Sequence, residues 1–273
     1  MSALTKAQEA CRQAEALLIT AGAGMGVDSG LPDFRGAEGF WKAYPPYKKL
    51  GYQFVEMACP DRFADDPAIG WGFYGHRLNL YRSTEPHDGF RQLQEFGSGL
   101  PGGVFVFTSN VDGHFQRSGF DPLQVLECHG SILHLQCFER CQDRIWPAGD
   151  LQIEIDEETM RAQAPLPSCP DCGGGIARPN ILMFGDWGWN GRRSEEQEGR
   201  YLDWIRDVRG KRVVVLEFGA GTGVPTVRMQ SERVAVELNA TLIRVNPREP
   251  EIPNGKGVSL SMGALEAIQQ LLK

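Results

Sequence analysis

The sequence predicts an α/β fold: a doubly wound, Rossmann-like parallel sheet with a smaller subdomain formed by two inserted segments. Short unbroken apolar runs rich in β-branched residues are typical of parallel strands buried on both faces. Each run ends in Gly, Asn, Ser or Thr, which suits the carboxyl-end loops where such sheets bind ligands. The runs lie at residues 16–20, 104–107, 213–216 and 241–245.

Composition limits the possible partners. The chain has 273 residues, 41% of them hydrophobic, and a formal net charge of −7. This length allows one large domain or two small ones, and the apolar content excludes a mainly disordered chain. Because general nucleic-acid and membrane-surface binders carry an excess of Lys and Arg, we expect neither nucleic acid nor membrane as a partner.

The beginning of the chain predicts an amphipathic helix over residues 2–16 and has no apolar segment like that of a signal peptide. No stretch approaches the roughly 18–20 apolar residues of a membrane helix. Seven cysteines, an odd number without a secretion signal, argue against a disulfide framework. We therefore expect a soluble, cytoplasmic protein.

Four of the cysteines have metal-site spacing. Three residues separate Cys137 from Cys141, and two separate Cys169 from Cys172. Two such pairs can place four thiolates tetrahedrally around zinc. Because sulfur would fill every position, the zinc would be structural. The alternative is four unrelated buried thiols.

The strand pattern is interrupted by two segments, an aromatic and Pro-rich one and the cysteine-bearing one. We expect a single catalytic domain over residues 1–273 in which both segments are insertions. The large subdomain would comprise approximately residues 1–35, 85–133 and 184–273, and the small one residues 36–84 (helical) and 134–183 (zinc-binding).

Two glycine loops follow predicted strands. The first, Gly22-Ala23-Gly24-Met25-Gly26, precedes a polar helix start, a layout typical of nucleotide binding. It departs from the dinucleotide fingerprint G-x-G-x-x-G at Val27, which disfavours an ordinary dehydrogenase. The second, Gly219-Ala220-Gly221, imitates the first motif of S-adenosylmethionine-dependent methyltransferases. Too few residues follow it to supply the remaining strands of that fold.

An ordered set of motifs runs from about residue 16 to residue 270. It comprises residues 22–36, Thr108-Ser109-Asn110-Val111-Asp112, Cys128-His129-Gly130-Ser131, the four cysteines, Pro179 with Phe184-Gly185-Asp186, Gly219-Ala220-Gly221 and Val245-Asn246. In this order the set resembles the sirtuins, the NAD-dependent protein-lysine deacylases. The resemblance implies NAD as co-substrate, one structural zinc ion, and acylated-lysine proteins or peptides as substrates.

The resemblance also implies roles for individual residues. His129 and Asn110 would be catalytic, and Phe184 and Gly185 would bind the substrate peptide. The pyrophosphate of NAD would lie against backbone N–H groups of residues 23–26. The cofactor-binding residues would be Gly22, Ala23, Gly24, Met25, Gly26, Asp33, Phe34, Arg35, Ser109, Val111, Asp112, Gly219, Ala220, Gly221 and Asn246.

In the implied reaction, the acyl-lysine oxygen attacks the ribose carbon as nicotinamide leaves. His129 then acts as general base on a ribose hydroxyl, which a neutral imidazole with a pKa of about 6.5 can do near pH 7. The products would be free lysine, nicotinamide and O-acyl-ADP-ribose. Taken alone, His129 would be read first as a buried histidine bound to a backbone carbonyl; the ordered set of motifs is what favours catalysis.

Tyr74 and Arg77 give an indication of the acyl group. They are three residues apart on a predicted helix and share a face. The Arg fork matches a carboxylate, and the Tyr hydroxyl can add a hydrogen bond. The pair resembles the Tyr-x-x-Arg of sirtuins that remove succinyl, malonyl or glutaryl groups. The alternative is a solvated helix charge beside a packing aromatic.

Two other functions fit the same sequence. ADP-ribosyl transfer or NAD hydrolysis would use a different nucleophile, and an NAD-sensing module would bind without turnover. Three departures from the sirtuin pattern remove polar side chains near the expected NAD site. Gly26 replaces the usual Ser, Ser109 replaces Gln, and Gly219-Ala220-Gly221 replaces Gly-Thr-Ser.

Overall fold

The structure, a computed structural model, describes residues 1–33, 36–253 and 257–273. The strands are β1 Ala16–Ala21, β2 Val104–Thr108, β3 Val125–Glu127, β4 Gly130–Cys137, β5 Ile145–Pro147, β6 Ile155–Asp156, β7 Arg161–Ala162, β8 Ala177–Ile181, β9 Val213–Phe218, β10 Thr241–Val245 and β11 Val258–Leu260. The α-helices are α1 Ala3–Arg12, α2 Gly36–Ala43, α3 Pro45–Lys49, α4 Phe54–Met57, α5 Asp61–Asp65, α6 Pro67–Ser83, α7 Gly89–Ser98, α8 His114–Arg117, α9 Arg192–Asp207, α10 Thr226–Glu237 and α11 Ala264–Leu271. Among the described residues, 3₁₀ helices span Ala23–Ser29 and Pro122–Gln124.

Six strands form one parallel sheet in the order β11-β10-β9-β1-β2-β3. The four predicted strands are confirmed as β1, β2, β9 and β10. The two edge strands were not predicted, because each has only three residues and lacks a distinct apolar run. Helix α1 begins where predicted, and the Ser2 hydroxyl caps it by accepting from the Thr5 N–H. It ends at Arg12, short of the predicted residue 16.

Alternate residues of the central strands face opposite helical layers. Leu17 and Ile19 join a cluster with α1, α7 and α11. Leu18 packs on the other face with Tyr201 of α9 and Val227 of α10. Helices therefore cover both faces, and the predicted doubly wound sheet is confirmed.

The order of the sheet reverses between β1 and β9. The chain proceeds from β1 to β2 and β3 on one side, then returns to β9 on the other side of β1. Ala21 pairs with Phe218, so the loops that follow these two strands emerge side by side. Such a reversal point is where open α/β sheets bind ligands.

A separate apolar cluster joins the two inserted segments. Helix α6 supplies several of its aromatic side chains and lies directly on the β6–β7 hairpin. A Cβ atom on Gly72 would lie 1.9 Å from the Met160 carbonyl oxygen, so only Gly permits this approach. The close packing fixes the face of α6 that carries Tyr74 and Arg77.

A three-stranded antiparallel sheet, β5-β4-β8, connects the cysteine cluster to the site. Strand β4 begins directly after His129 and ends at Cys137. Strand β8 returns from beyond Cys172 toward Leu182. Within the residues that the structure describes, no helix has the length and apolar character needed to cross a bilayer.

Candidate active site

A cavity of about 950 Å³ opens at the carboxyl edge of the parallel sheet, between the glycine loops and the inserted segments. A second cavity of about 690 Å³ adjoins it and shares Leu31, Pro32 and Arg248. The larger cavity brings together Gly22, Ala23, Tyr74, Arg77, Ser109, Asn110, Val111, Asp112, His129, Phe184, Ala220 and Gly221. The smaller cavity is lined by Gly24, Asp33, Gly219 and Asn246.

Some predicted site residues lie elsewhere. The Met25 side chain is buried in the main core. Gly26 lines neither cavity, and a Cβ atom there would lie 3.1 Å from Leu31 Cδ1, so the usual Ser would displace Leu31. Gly185, with φ of +66°, lines neither cavity, although its neighbour Phe184 lines the larger one. Phe34 and Arg35 lie outside the described residues.

The two glycine loops touch each other. The Gly24 N–H donates to the Gly219 carbonyl at 3.1 Å, and the Gly22 N–H donates to Phe218 at 2.9 Å. The Met25 N–H also has an internal partner, the Gly22 carbonyl at 3.0 Å. Gly24 and Met25 thus donate within the protein, so these two N–H groups of the predicted phosphate-binding stretch are already engaged.

Asn110 and Asp112 follow the end of β2. The Asn110 N–H donates to Thr108 Oγ1 at 3.0 Å, and its side-chain amide donates to the Gly22 carbonyl at 3.0 Å. The carboxylate of the buried Asp112 accepts from the His114 N–H at 2.9 Å. These bonds fix both polar side chains at the cavity wall next to the first glycine loop.

Backbone hydrogen bonds to two different segments hold His129 in place. The Cys128 N–H donates to Thr108 at 2.9 Å, and the His129 carbonyl accepts from Leu182 at 3.0 Å. Burial lowers the pKa of the His129 imidazole below its usual 6.5. A neutral ring at neutral pH is the form that can accept a proton.

Arg77 is buried in an aromatic cage within the same cavity. Its guanidinium carbon lies 5.2 Å from the ring centre of Phe73, 5.7 Å from that of Tyr74 and 5.3 Å from that of Tyr81. Tyr74 stacks on Phe63 with ring centres 5.7 Å apart. Burial acts to lower the pKa of Arg77, but the neighbouring tyrosines raise it, so the guanidinium stays charged.

Sequence reasoning missed Tyr81. Its hydroxyl accepts from Arg77 Nε at 3.0 Å and from Arg77 Nη2 at 2.7 Å. The signal was available, because Tyr74, Arg77 and Tyr81 lie at positions i, i+3 and i+7 of one helix and share a face.

The loop after β10 was also missed. Arg248 lines both cavities and forms an ion pair with Asp33. Glu249 accepts from the Thr222 hydroxyl at 2.7 Å and thereby connects this loop to the second glycine loop. The buried Asn246 holds the arrangement, since its amide donates to the Ala220 carbonyl and its oxygen accepts from residues 248 and 249. No local spacing in the sequence indicates these contacts.

A buried ion pair holds the segment that contains Phe184. Arg178 Nη2 lies 2.7 Å from Asp186 Oδ2, and both side chains are inaccessible to solvent. The Asp186 carboxylate also accepts from the Met183 and Gly188 N–H groups. The Phe184 N–H donates to the Ala58 carbonyl at 2.9 Å, which fixes the cavity lip.

The four predicted ligand cysteines form one cluster. Their sulfur atoms all lie within 4.8 Å of one another, with Cys137 to Cys172 at 3.9 Å and Cys141 to Cys169 at 3.6 Å. Tetrahedral zinc with bonds of about 2.3 Å separates its sulfurs by about 3.8 Å. The distances exclude disulfides, and the four thiols fit one structural zinc ion.

The larger cavity also fits a dinucleotide. Small-molecule sites typically occupy about 300–1,000 Å³, and the two adjoining cavities provide space of this order. A Cβ atom at Gly22 would lie 3.0 Å from Ala220 Cα, so Gly22 is required for the loops to stay in contact while forming the cavity wall. Polar groups of Asn110 and Asp112 face this space.

Comparison with known proteins agrees with this architecture. A sequence model of the Sir2 family matches residues 22–193. An NAD-dependent protein deacylase of Thermus thermophilus is 30% identical over all of this chain and 95% of its own length. The mitochondrial NAD-dependent protein deacylase sirtuin-5 of Canis lupus familiaris is 33% identical over 64% of this chain and 57% of its own. A Sir2 homologue solved with NAD superposes with a TM-score of 0.73 at 23% identity, over 98% of this chain and 92% of that one. The chain therefore belongs to the Sir2 family.

Proposed function

We propose that this protein is an NAD-dependent protein-lysine deacylase that prefers acyl chains ending in a carboxylate. The observation that carries the proposal is the larger cavity, where His129, Asn110 and Asp112 line the same space as Tyr74 and Arg77. The relatives named NAD-dependent protein deacylase support the reaction. The cavity lies between the large and small subdomains that we propose from the two insertions.

The described residues can perform distinct tasks in this reaction. Bound NAD would supply an activated ribose carbon, with nicotinamide as leaving group and O-acyl-ADP-ribose as product. Asn110 and Asp112 would orient the ribose and the nicotinamide amide. The neutral His129 imidazole would accept a proton from a ribose hydroxyl. The glycine loops and Asn246 would hold the remainder of the dinucleotide.

Arg77 supports the acyl preference. A buried guanidinium at a cavity wall is suited to a carboxylate, because both groups are planar and can form paired hydrogen bonds. Tyr74 lies beside Arg77 and lines the same wall. Phe184 at the cavity lip, together with Gly185, would meet the peptide that carries the acyl-lysine.

The test is mass spectrometry of one reaction. The purified protein is incubated with NAD and an acetylated or a succinylated lysine peptide of the same sequence, with a no-peptide control. Deacylation with peptide-dependent O-acyl-ADP-ribose is the expected result, and the succinylated peptide should react faster.

Each other outcome contradicts part of the proposal. NAD cleavage that is equal without peptide, or an ADP-ribose mass on protein, would replace deacylation by NAD hydrolysis or ADP-ribosyl transfer. NAD binding without turnover would indicate a sensing module. Equal rates on the two peptides would remove the acyl preference alone.

The cysteines support a cytoplasmic location. None of the seven cysteines, all of which the structure describes, forms a disulfide, as expected in a reducing compartment. Cell fractionation tests this part of the proposal, and recovery of the protein outside the cytoplasm would overturn it.

A further inference from the structure

We infer that Tyr81 is a positioning residue that sets the preference for carboxylate-bearing acyl chains by orienting the Arg77 guanidinium. The inference rests on the proposed function and extends it to a residue outside the Tyr-x-x-Arg pair. Tyr81 lies four residues after Arg77 on α6, one helical turn further, and lines the same cavity.

The geometry of the contact carries the inference. Arg77 Nε and Nη2 form one edge of the planar guanidinium, and both donate to the single Tyr81 hydroxyl oxygen, at 3.0 Å and 2.7 Å. Two donors on one acceptor fix the rotation of the guanidinium plane about its stem. An Arg side chain otherwise has several rotatable bonds, and ordering it on binding costs free energy.

The surroundings keep the pair in place. Phe73, Tyr74 and Tyr81 surround the guanidinium, so a shift of its plane would also lose contacts with their rings. The backbone at Tyr81 is fixed too, because its carbonyl accepts from Arg117 at 2.8 Å. Arg77 is therefore oriented before an acyl chain enters the cavity.

The protonation state of the Tyr81 hydroxyl fits this role. A phenol that accepts from Arg77 keeps its own O–H as a donor. Burial raises the pKa of Tyr81, although Arg77 acts to lower it, so the phenol remains protonated near neutral pH. A neutral Tyr81 hydroxyl thus holds the Arg77 cation in one orientation, which matters for a substrate carboxylate and not for an acetyl group, which has no carboxylate.

The decisive variant is Tyr81→Phe, which removes one oxygen and keeps the ring over the guanidinium. We expect kcat/KM for a succinyl-lysine peptide to fall about tenfold, the scale of one hydrogen bond to a charged group, mainly through KM. The acetyl-lysine peptide should keep its kcat and KM within about twofold. Tyr47→Phe is the matched control, because Tyr47 is a buried tyrosine of the same cluster whose hydroxyl bonds the Met160 carbonyl.

A substrate change gives an independent readout. In a peptide carrying the amide of the succinyl group, the terminal carboxylate is replaced by an uncharged group of the same shape. Tyr81→Phe should then have little effect. Melting curves of all variants establish that they are folded.

The failure of this inference differs from the failure of the proposed function. Selective loss of the succinyl reaction in Arg77→Met but not in Tyr81→Phe would overturn the role of Tyr81 and leave the acyl preference standing. Equal loss on all peptides in Tyr81→Phe would show a general packing role and overturn it as well. No selective effect in Arg77→Met would remove the acyl preference and, with it, this inference.

Discussion

Gly24 and Gly219 lie in direct backbone contact although 195 positions separate them in the sequence. The Gly24 N–H donates to the Gly219 carbonyl at 3.1 Å, and a Cβ atom added to Gly219 would lie 2.3 Å from Gly24 Cα. The contact joins the loops after β1 and β9 at the point where the sheet order reverses. The loop that imitates a methyltransferase motif is therefore one wall of the NAD site that we propose.

Gly219→Ala should destabilise the protein and weaken NAD binding. Its φ of +59° is left-handed, and the added methyl group would meet backbone that cannot move aside. We expect the free energy of unfolding to fall by about 2 kcal/mol or more and the melting temperature to fall by about 5 °C. Calorimetry with and without NAD measures both effects.

Gly199→Ala is the matched control for that prediction. Gly199 lies within α9, and no atom would approach its added Cβ within 4 Å. An unchanged or raised melting temperature is expected, since Ala favours helices over Gly by about 0.5–1 kcal/mol. If both variants melt like the original protein, close contact between the two loops is not required.

The pH dependence of kcat/KM should report the protonation of the His129 imidazole. Because burial lowers its pKa, His129 is neutral from below pH 6.5 upward, and the rate should be lost only as pH falls through that lowered value. We expect the acid limb of kcat/KM for deacylation to have its midpoint below pH 6.5, the usual pKa of the imidazole. A midpoint of the acid limb at or above pH 6.5 would contradict this environment for the ring.

His129→Ala should remove the acid limb together with most of the activity. Loss of a general base typically lowers the rate by about 10²–10⁴-fold. Its effect on peptide binding should be small, which separates the chemical step from substrate affinity. Full activity in this variant would assign the base to another residue.

Breaking the buried Arg178–Asp186 ion pair on one side should strongly destabilise the protein. Asp186→Ala would leave a buried guanidinium without its carboxylate, and breaking a buried pair typically costs about 3–5 kcal/mol. Asp203→Ala breaks an exposed pair with Arg206 and should cost less than about 1 kcal/mol. Urea unfolding of the two variants measures the difference, and similar midpoints would contradict the prediction.

Metal analysis should find one zinc ion per chain, and Cys169→Ser should lose it. The four sulfur atoms have the spacing that tetrahedral zinc requires. The loss should also lower the melting temperature, since a structural zinc ion contributes to folding free energy. Cys59 lies outside the four-cysteine cluster, so the Cys59→Ser variant should keep one zinc ion per chain. Equal zinc content in the two variants would exclude the cysteine site.

Much of the architecture could be predicted because it is encoded locally. Buried parallel strands appear as unbroken apolar runs, so β1, β2, β9 and β10 were found from their residues alone. The edge strands β3 and β11 were missed, because three residues do not establish a pattern. The cysteine cluster was predictable because two short-range pairs, each on a tight turn, already define a metal site.

The site could be predicted only in part. His129, Asn110 and Arg77 were identified from motifs and line one cavity, whereas Met25 belongs to the core. The Asp33–Arg248 pair escaped detection, since no sequence spacing relates two residues so far apart. Tyr81 could have been found from helical spacing, but not its two bonds to Arg77.

By itself the sequence determined which segments become buried strands, which four cysteines have the spacing of a metal site, and which loops follow strand ends. Each of these depends on neighbours within a few residues. Only the tertiary structure decided that β9 lies next to β1, that the two glycine loops touch, and that α6 presents Arg77 and Tyr81 to the same cavity as His129. Those relationships depend on strand order and on packing between distant segments, which no local pattern specifies.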